Sequence, residues 1–122
     1  MREIKFRAWD SVNNWMVFPG EGPNPLYLHH DNVGPLKLRW ADGRFYDSLF
    51  YFMQYTGIKD KNGVEIYEGD IYRTWNGYGP FVVEWGIQGD DEIVGWNVPP
   101  FDGQNEVIGN IYENPELLEE RQ

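Results

Sequence analysis

Two adjacent imidazoles and a carboxylate, His29-His30-Asp31, are the first residues in this chain whose types suit a metal ion. Neighbouring side chains on a strand point to opposite faces, so the two rings do not converge on one ion. With no Cys and no third His to complete a ligand set, no metal site is assigned. Asp60-Lys61-Asn62-Gly63 carries oxygen donors ahead of a glycine, in the manner of a calcium loop. Aligned on Gly63, the first ligand position falls on Ile58 and the closing bidentate position on Gly69, neither of which has a side-chain oxygen. A hairpin turn, with Asn and Gly tolerating positive φ, accounts for the same residues.

Asp90, Asp91 and Glu92, and separately Glu65, Glu68 and Asp70, supply the carboxylates that an acid/base pair or a magnesium site requires. Strand or turn geometry sends the neighbours in each set in different directions, and twenty Asp and Glu produce such groupings by composition alone. Ser occurs only at Ser11 and Ser48. There is no Gly-x-Ser-x-Gly elbow, no phosphate-cradling glycine loop and no dinucleotide fingerprint. No catalytic, cofactor-binding or metal-ligating residue is therefore assigned. The expectation is a protein that is not an enzyme and takes no cofactor.

Aromatic side chains are the strongest compositional signal, at 17%, with six Trp, eight Tyr and seven Phe. Tyr and Trp suit interfaces because one end is apolar and the other forms hydrogen bonds. A 122-residue domain does not readily bury them all, so an exposed aromatic patch for self-association or for gripping another protein is expected. Leu26–His30, Leu36–Trp40 and Phe45–Tyr55 are the candidate segments. A single-stranded nucleic-acid binder is the alternative, with aromatics as stacking platforms beside Arg2, Lys5, Arg7, Lys37, Arg39 and Arg44. It requires those cations to converge on one face. A small carboxylate- or metal-dependent hydrolase is the third reading.

Net charge is −10, and residues 63–122 hold two Lys/Arg against thirteen Asp/Glu. That sign repels phosphate backbones, so duplex nucleic acid is disfavoured as a partner. The absence of Cys suits a reducing cytoplasm, and the charged N-terminus lacks the apolar run of a signal peptide. No stretch approaches the roughly 20 apolar residues of a membrane span, so no membrane partner is expected.

These side chains have to be positioned by short strands and tight turns, because fourteen Gly and eight Pro punctuate the chain. Ile4, Phe6 and Ala8 alternate with Lys5 and Arg7 over residues 3–9, which predicts a half-buried strand. Asn13-Asn14 turns into Trp15–Phe18, Pro19 to Pro25 is a loop, and Leu26–His30 and Leu36–Trp40 are short extended pieces. Phe45–Tyr55 is ambiguous: aromatic density and alternation favour extended structure over at least its second half, with a short helical turn near Asp47–Phe50 as the alternative for its start. A hairpin across Asp60–Gly63 follows, then strands at 71–75, 81–85, 93–98 and 106–112. Asn114-Pro115 opens a short helical turn, Asn capping free amides and Pro fitting the first position. The length suits one domain, 1–122, with barrel strands mainly within 53–112 and an irregular N-terminal part, 1–52.

Three blocks, MREIKFRAWD, MQYTGIKDKNGVEIYEGDI and IGNIYENPELL, together resemble the YopX family of small proteins encoded by bacteriophages and prophages. The resemblance implies a mainly β, SH3-like barrel, here with N-terminal β additions and a short C-terminal helical turn. It transfers no catalytic or ligand-binding residue. Glu68-Gly69-Asp70-Ile71 supports the same fold, since Gly allows a tight bend and Asp bonds nearby amides. The combined expectation is a phage or prophage accessory protein in the cytoplasm of its host cell. It acts there as a protein-interaction module with a protein partner or a second copy of itself.

Overall fold

The structure is a computed structural model that describes residues 5–29, 36–74, 76–88, 93–97 and 105–120. It is mainly β, as the strand-and-turn composition requires, and no α-helix occurs among the described residues. Contacts divide it into two units, Phe6–Phe52 and a second that joins Lys5 to the chain from Met53 onward.

In the Phe6–Phe52 unit, β1 (Phe6–Asp10) pairs antiparallel with β2 (Trp15–Val17), setting Ala8 opposite Val17 and Asp10 opposite Trp15. The turn between them closes through the Asn14 N–H on the Asp10 carbonyl, and Asn14 takes φ +59°, a conformation Asn tolerates better than most residues. Alternation in β1 predicts Arg7 on an exposed face. Instead Arg7, Ala8, Trp9 and Asp10 are all buried, Arg7 to 6% exposure, because the strand is covered on both sides. A two-stranded ribbon follows, β3 (Tyr27–His29) against β4 (Lys37–Arg39), with Leu28 opposite Leu38. Leu38 joins Ala8 and Leu26 in the unit's core, against which Val17, Leu28, Trp40, Tyr46, Phe50 and Phe52 pack.

The ambiguous aromatic run resolves as the start of a long strand, β5 (Phe50–Lys59), and no helical turn forms at 47–49. β-Branched and aromatic residues favour that outcome. From Met53 onward β5 belongs to the second unit and pairs with β6 (Glu65–Tyr67), Tyr55 facing Tyr67 and Lys59 facing Glu65. A bulge separates those pairs at Gly57, whose φ of +86° favours glycine. The buried Thr56 hydroxyl donates to the Ile66 carbonyl and accepts the Ile58 N–H, replacing the ladder bonds lost there.

The hairpin turn is where the sequence places it. The Gly63 N–H closes onto the Asp60 carbonyl, and Gly63 has φ +81° while Asn62 is not left-handed. β7 (Asp70–Arg73) is the centre of a sheet with β11 (Glu106–Asn110) on one side and β8 (Phe81–Val82) on the other. β9 (Trp85–Gln88) pairs with β10 (Ile93–Trp96). Ile66, Tyr72 and Val83 form one buried cluster, with Ile58, Trp96 and Val107 against it. Pro115–Glu120 forms a 3-10 helix. The Asn114 side chain does not cap it as predicted: its oxygen turns back to the Asn110 N–H, while its backbone carbonyl accepts from Leu117.

Candidate functional site

Each buried carboxylate of the described residues closes a turn. Asp60 is 4% exposed, and its Oδ1 accepts the N–H of Asn62 and Val64 while its Oδ2 accepts that of Val107. Asp70 accepts the Tyr67 N–H, and Gly69 before it takes φ +86°, as the Gly-Asp bend predicts. Asn110 does equivalent work for Tyr112 and Glu113. Short acidic and amide side chains suit this task because they reach backbone donors two or three residues on. Glu65 is ion-paired with Lys5, and no group of three or more His, Asp or Glu suited to a metal occurs among the described residues.

Asp10 is the most elaborate of these anchors. Fully buried at the end of β1, it accepts the N–H of Val12 and Asn13, the Asn13 amide, the Tyr46 hydroxyl at 2.9 Å and the Ser48 hydroxyl at 2.6 Å. Burial pushes its carboxyl up, but the bonds from Ser48, Asn13 and Tyr46 outweigh that and hold it far below the usual carboxylate range. Tyr46 is correspondingly raised, by burial first and then by its bond to the Asp10 anion.

That network positions a segment without regular structure, 46–49. Tyr46 and Ser48 are tied to Asp10, and the Leu49 carbonyl accepts both the backbone N–H and the hydroxyl of Ser11. Leu49 itself is left 67% exposed. The held segment forms one wall of a cleft of about 800 Å³ lined by Leu36, Leu38, Phe45, Leu49, Phe50 and Phe52, with Lys37 and Asp47 as its charges. Phe50 and Phe52 lie on one side of β5, and rings continue from Trp40 to Tyr46 at 5.6 Å, to Phe50 at 5.5 Å and to Phe52 at 5.9 Å. Phe45 stands 52% exposed at the border. The cleft's volume is within the range of binding pockets, and its chemistry is apolar recognition.

The remaining sequence candidates separate. His29 meets the edge of Phe45 at 5.1 Å, while His30 and Asp31, like Asp90, Asp91 and Glu92, lie outside the described residues. Of the six cations grouped for nucleic-acid binding, Lys5 is paired with Glu65, Arg7 is buried and Arg44 is paired with Asp42 at 2.8 Å. Arg2 lies outside the described residues, as does Trp75 among the aromatics. Lys37 and Arg39 share one face. The segments Leu36–Trp40 and Phe45–Tyr55, named for their aromatics, do contribute most of the cleft. Leu36 and Leu49 fall within those segments although aromatics are the reason for naming them, and what sequence reasoning missed is the role of Asp10. Only the spacing of Asp10 from the Asn13-Asn14 turn signals it.

No helix among the described residues is long and apolar enough to cross a membrane. No curated protein matches the chain. Its structure is similar to the crystal structure of protein EF1440 from Enterococcus faecalis, at 26% identity and a TM-score of 0.56, over 97% of this chain and 99% of that one. The YopX protein family matches residues 5–119, and the chain belongs to that family.

Proposed function

We propose that this YopX family member is a non-enzymatic protein-interaction module that receives an apolar segment of a protein, a second copy or a partner, in the Phe6–Phe52 cleft. The observation that carries this reading is Leu49, 67% exposed on a wall fixed by the Asp10 network above Phe50 and Phe52. An irregular segment held rigid so that it presents a leucine to solvent presents a preorganised contact, and preorganisation lowers the ordering cost of binding. Further support comes from the three buried carboxylates of the described residues, Asp10, Asp60 and Asp70, whose oxygens accept backbone amides of turns. The biological setting we propose is that of a phage or prophage accessory protein in the cytoplasm of its host.

Light scattering coupled to size exclusion, run beside affinity capture from host lysate, tests this with Leu49→Asp as the control. The expected result is a mass above 14.4 kDa, or a specifically captured protein, that Leu49→Asp abolishes. A 14.4 kDa monomer whose captured proteins are the same with and without the substitution overturns it.

A further inference from the structure

The ribbon of β3 and β4 carries a face that meets the cleft at Lys37 and Phe45. Its register places Tyr27 opposite Arg39 and His29 opposite Lys37, on the face away from Leu28 and Leu38, which pack in the core. Phe45 is bridged to Arg39 and extends this face. The Arg39 guanidinium lies 5.6 Å from the Tyr27 ring centre, and the Lys37 ammonium lies 5.0 Å from that of Phe45. Both rings are substantially exposed, Tyr27 to 38% and Phe45 to 52%. Neither Lys37 nor Arg39 has a carboxylate partner among the described residues, and the Arg39 guanidinium donates to the Trp40 carbonyl at 3.3 Å. The chain carries −10, yet the described residues of this face present two cations without a carboxylate partner, each lying over one side of a partly exposed ring.

We infer that the Tyr27–Arg39 and Phe45–Lys37 face is a site for single-stranded nucleic acid, bases stacking on the sides of the two rings away from the cations and the two cations holding phosphates. Charge complementarity carries the choice of ligand: two cations without a carboxylate partner among the described residues attract an anion, and the rings beside them suit the flat face of a base. Stacking on exposed aromatics next to backbone-tracking cations is how sequence-tolerant single-strand binders work. A duplex keeps its bases stacked on one another and packs phosphates more densely against a chain of net charge −10. The site is small, so binding is weak. With two phosphates neutralised, the logarithm of affinity falls with the logarithm of salt at a slope of about −1.4.

Fluorescence anisotropy of a labelled oligothymidylate, titrated with the intact protein between about 50 and 200 mM salt, tests the site. Expected are a slope near −1.4 that drops to about −0.7 in Arg39→Ala, and affinity about tenfold weaker in Tyr27→Ala or Phe45→Ala. Tyr78→Ala, which removes an exposed ring of the other unit, is expected to leave affinity unchanged. A duplex of the same length is expected not to compete. The inference is overturned by the absence of single-strand binding, or by equal loss in Tyr78→Ala. It is equally overturned by indifference to both Tyr27→Ala and Phe45→Ala, by a competing duplex, or by tighter binding of an oligoglutamate peptide.

Discussion

Asp10 in the Phe6–Phe52 unit and Asp60 in the unit from Met53 onward occupy the same position in their hairpins, at the end of a strand with turn amides bonded to their oxygens. They differ in what else they hold. Asp60 spends its second oxygen on the backbone of Val107, so it joins two pieces of regular structure. Asp10 instead holds two side chains, Tyr46 and Ser48, of an irregular segment that leaves Leu49 in solvent. Charge separates the units as well: six Lys/Arg against fifteen Asp/Glu in the Met53 unit, counting residues 1–5 and 53–122, and four against five in residues 6–52. One turn device therefore serves two ends. In the acidic unit it closes a scaffold, and in the near-neutral unit it builds an apolar surface.

Removing each anchor is the most severe way to break this comparison. Asp10→Ala leaves the half-buried hydroxyls of Tyr46 and Ser48, together with the turn amides of Val12 and Asn13, without their acceptor, and a loss of about 3 kcal/mol is expected from urea unfolding. Asp60→Ala frees the amides of Asn62 and Val64, which water reaches, and the less accessible one of Val107. About 2 kcal/mol is expected there. Equal losses in the two variants would erase the distinction between anchors.

Acid sharpens the contrast. The folded-state pKa of Asp10 is depressed, so its contribution is complete above the unfolded value near 3.8 and is lost as pH falls below that toward the folded value. Asp10→Asn is therefore expected to be less stable than the native chain at pH 7, with the gap narrowing as pH drops below about 4. Unfolding midpoints across that window check it. A gap that is constant with pH would mean the carboxylate charge is not what the bonds stabilise.

A smaller loss is expected at Gly63→Val. A Cβ at that position meets no atom within 4 Å, so the cost is the positive φ alone, about 1–2 kcal/mol by thermal melting. An unchanged midpoint would show that the turn relaxes around the substitution.

These sites also show what the sequence could disclose. The Asp60–Gly63 hairpin and the Gly69-Asp70 bend were legible because their determinants lie within a few residues, where turn chemistry acts. Asp10 was not, since its partners Tyr46 and Ser48 are 36 and 38 residues away. Arg7 was misplaced because alternation reports one covered face, and β1 is covered on both. Asn114 satisfied the local rule for a helix cap but found a better acceptor role at the end of β11. Aromatic excess pointed toward Phe45–Tyr55, yet the aliphatic Leu49 is the most exposed apolar residue of the cleft, and composition gives no reason to single it out.

Leu49 and Tyr78 provide the most direct test, because both are 67% exposed and one belongs to each unit. Substitution by Asp at either is expected to change stability by less than about 0.5 kcal/mol, as for exposed positions generally. The decisive measurement is quantitative affinity capture, from host lysate supplemented with a second, differently tagged copy of the chain, by the native protein and the two variants. The account predicts that Leu49→Asp loses what the native protein captures and Tyr78→Asp keeps it. Retention by Leu49→Asp, or loss by Tyr78→Asp alone, would contradict a protein contact made through the Phe6–Phe52 cleft.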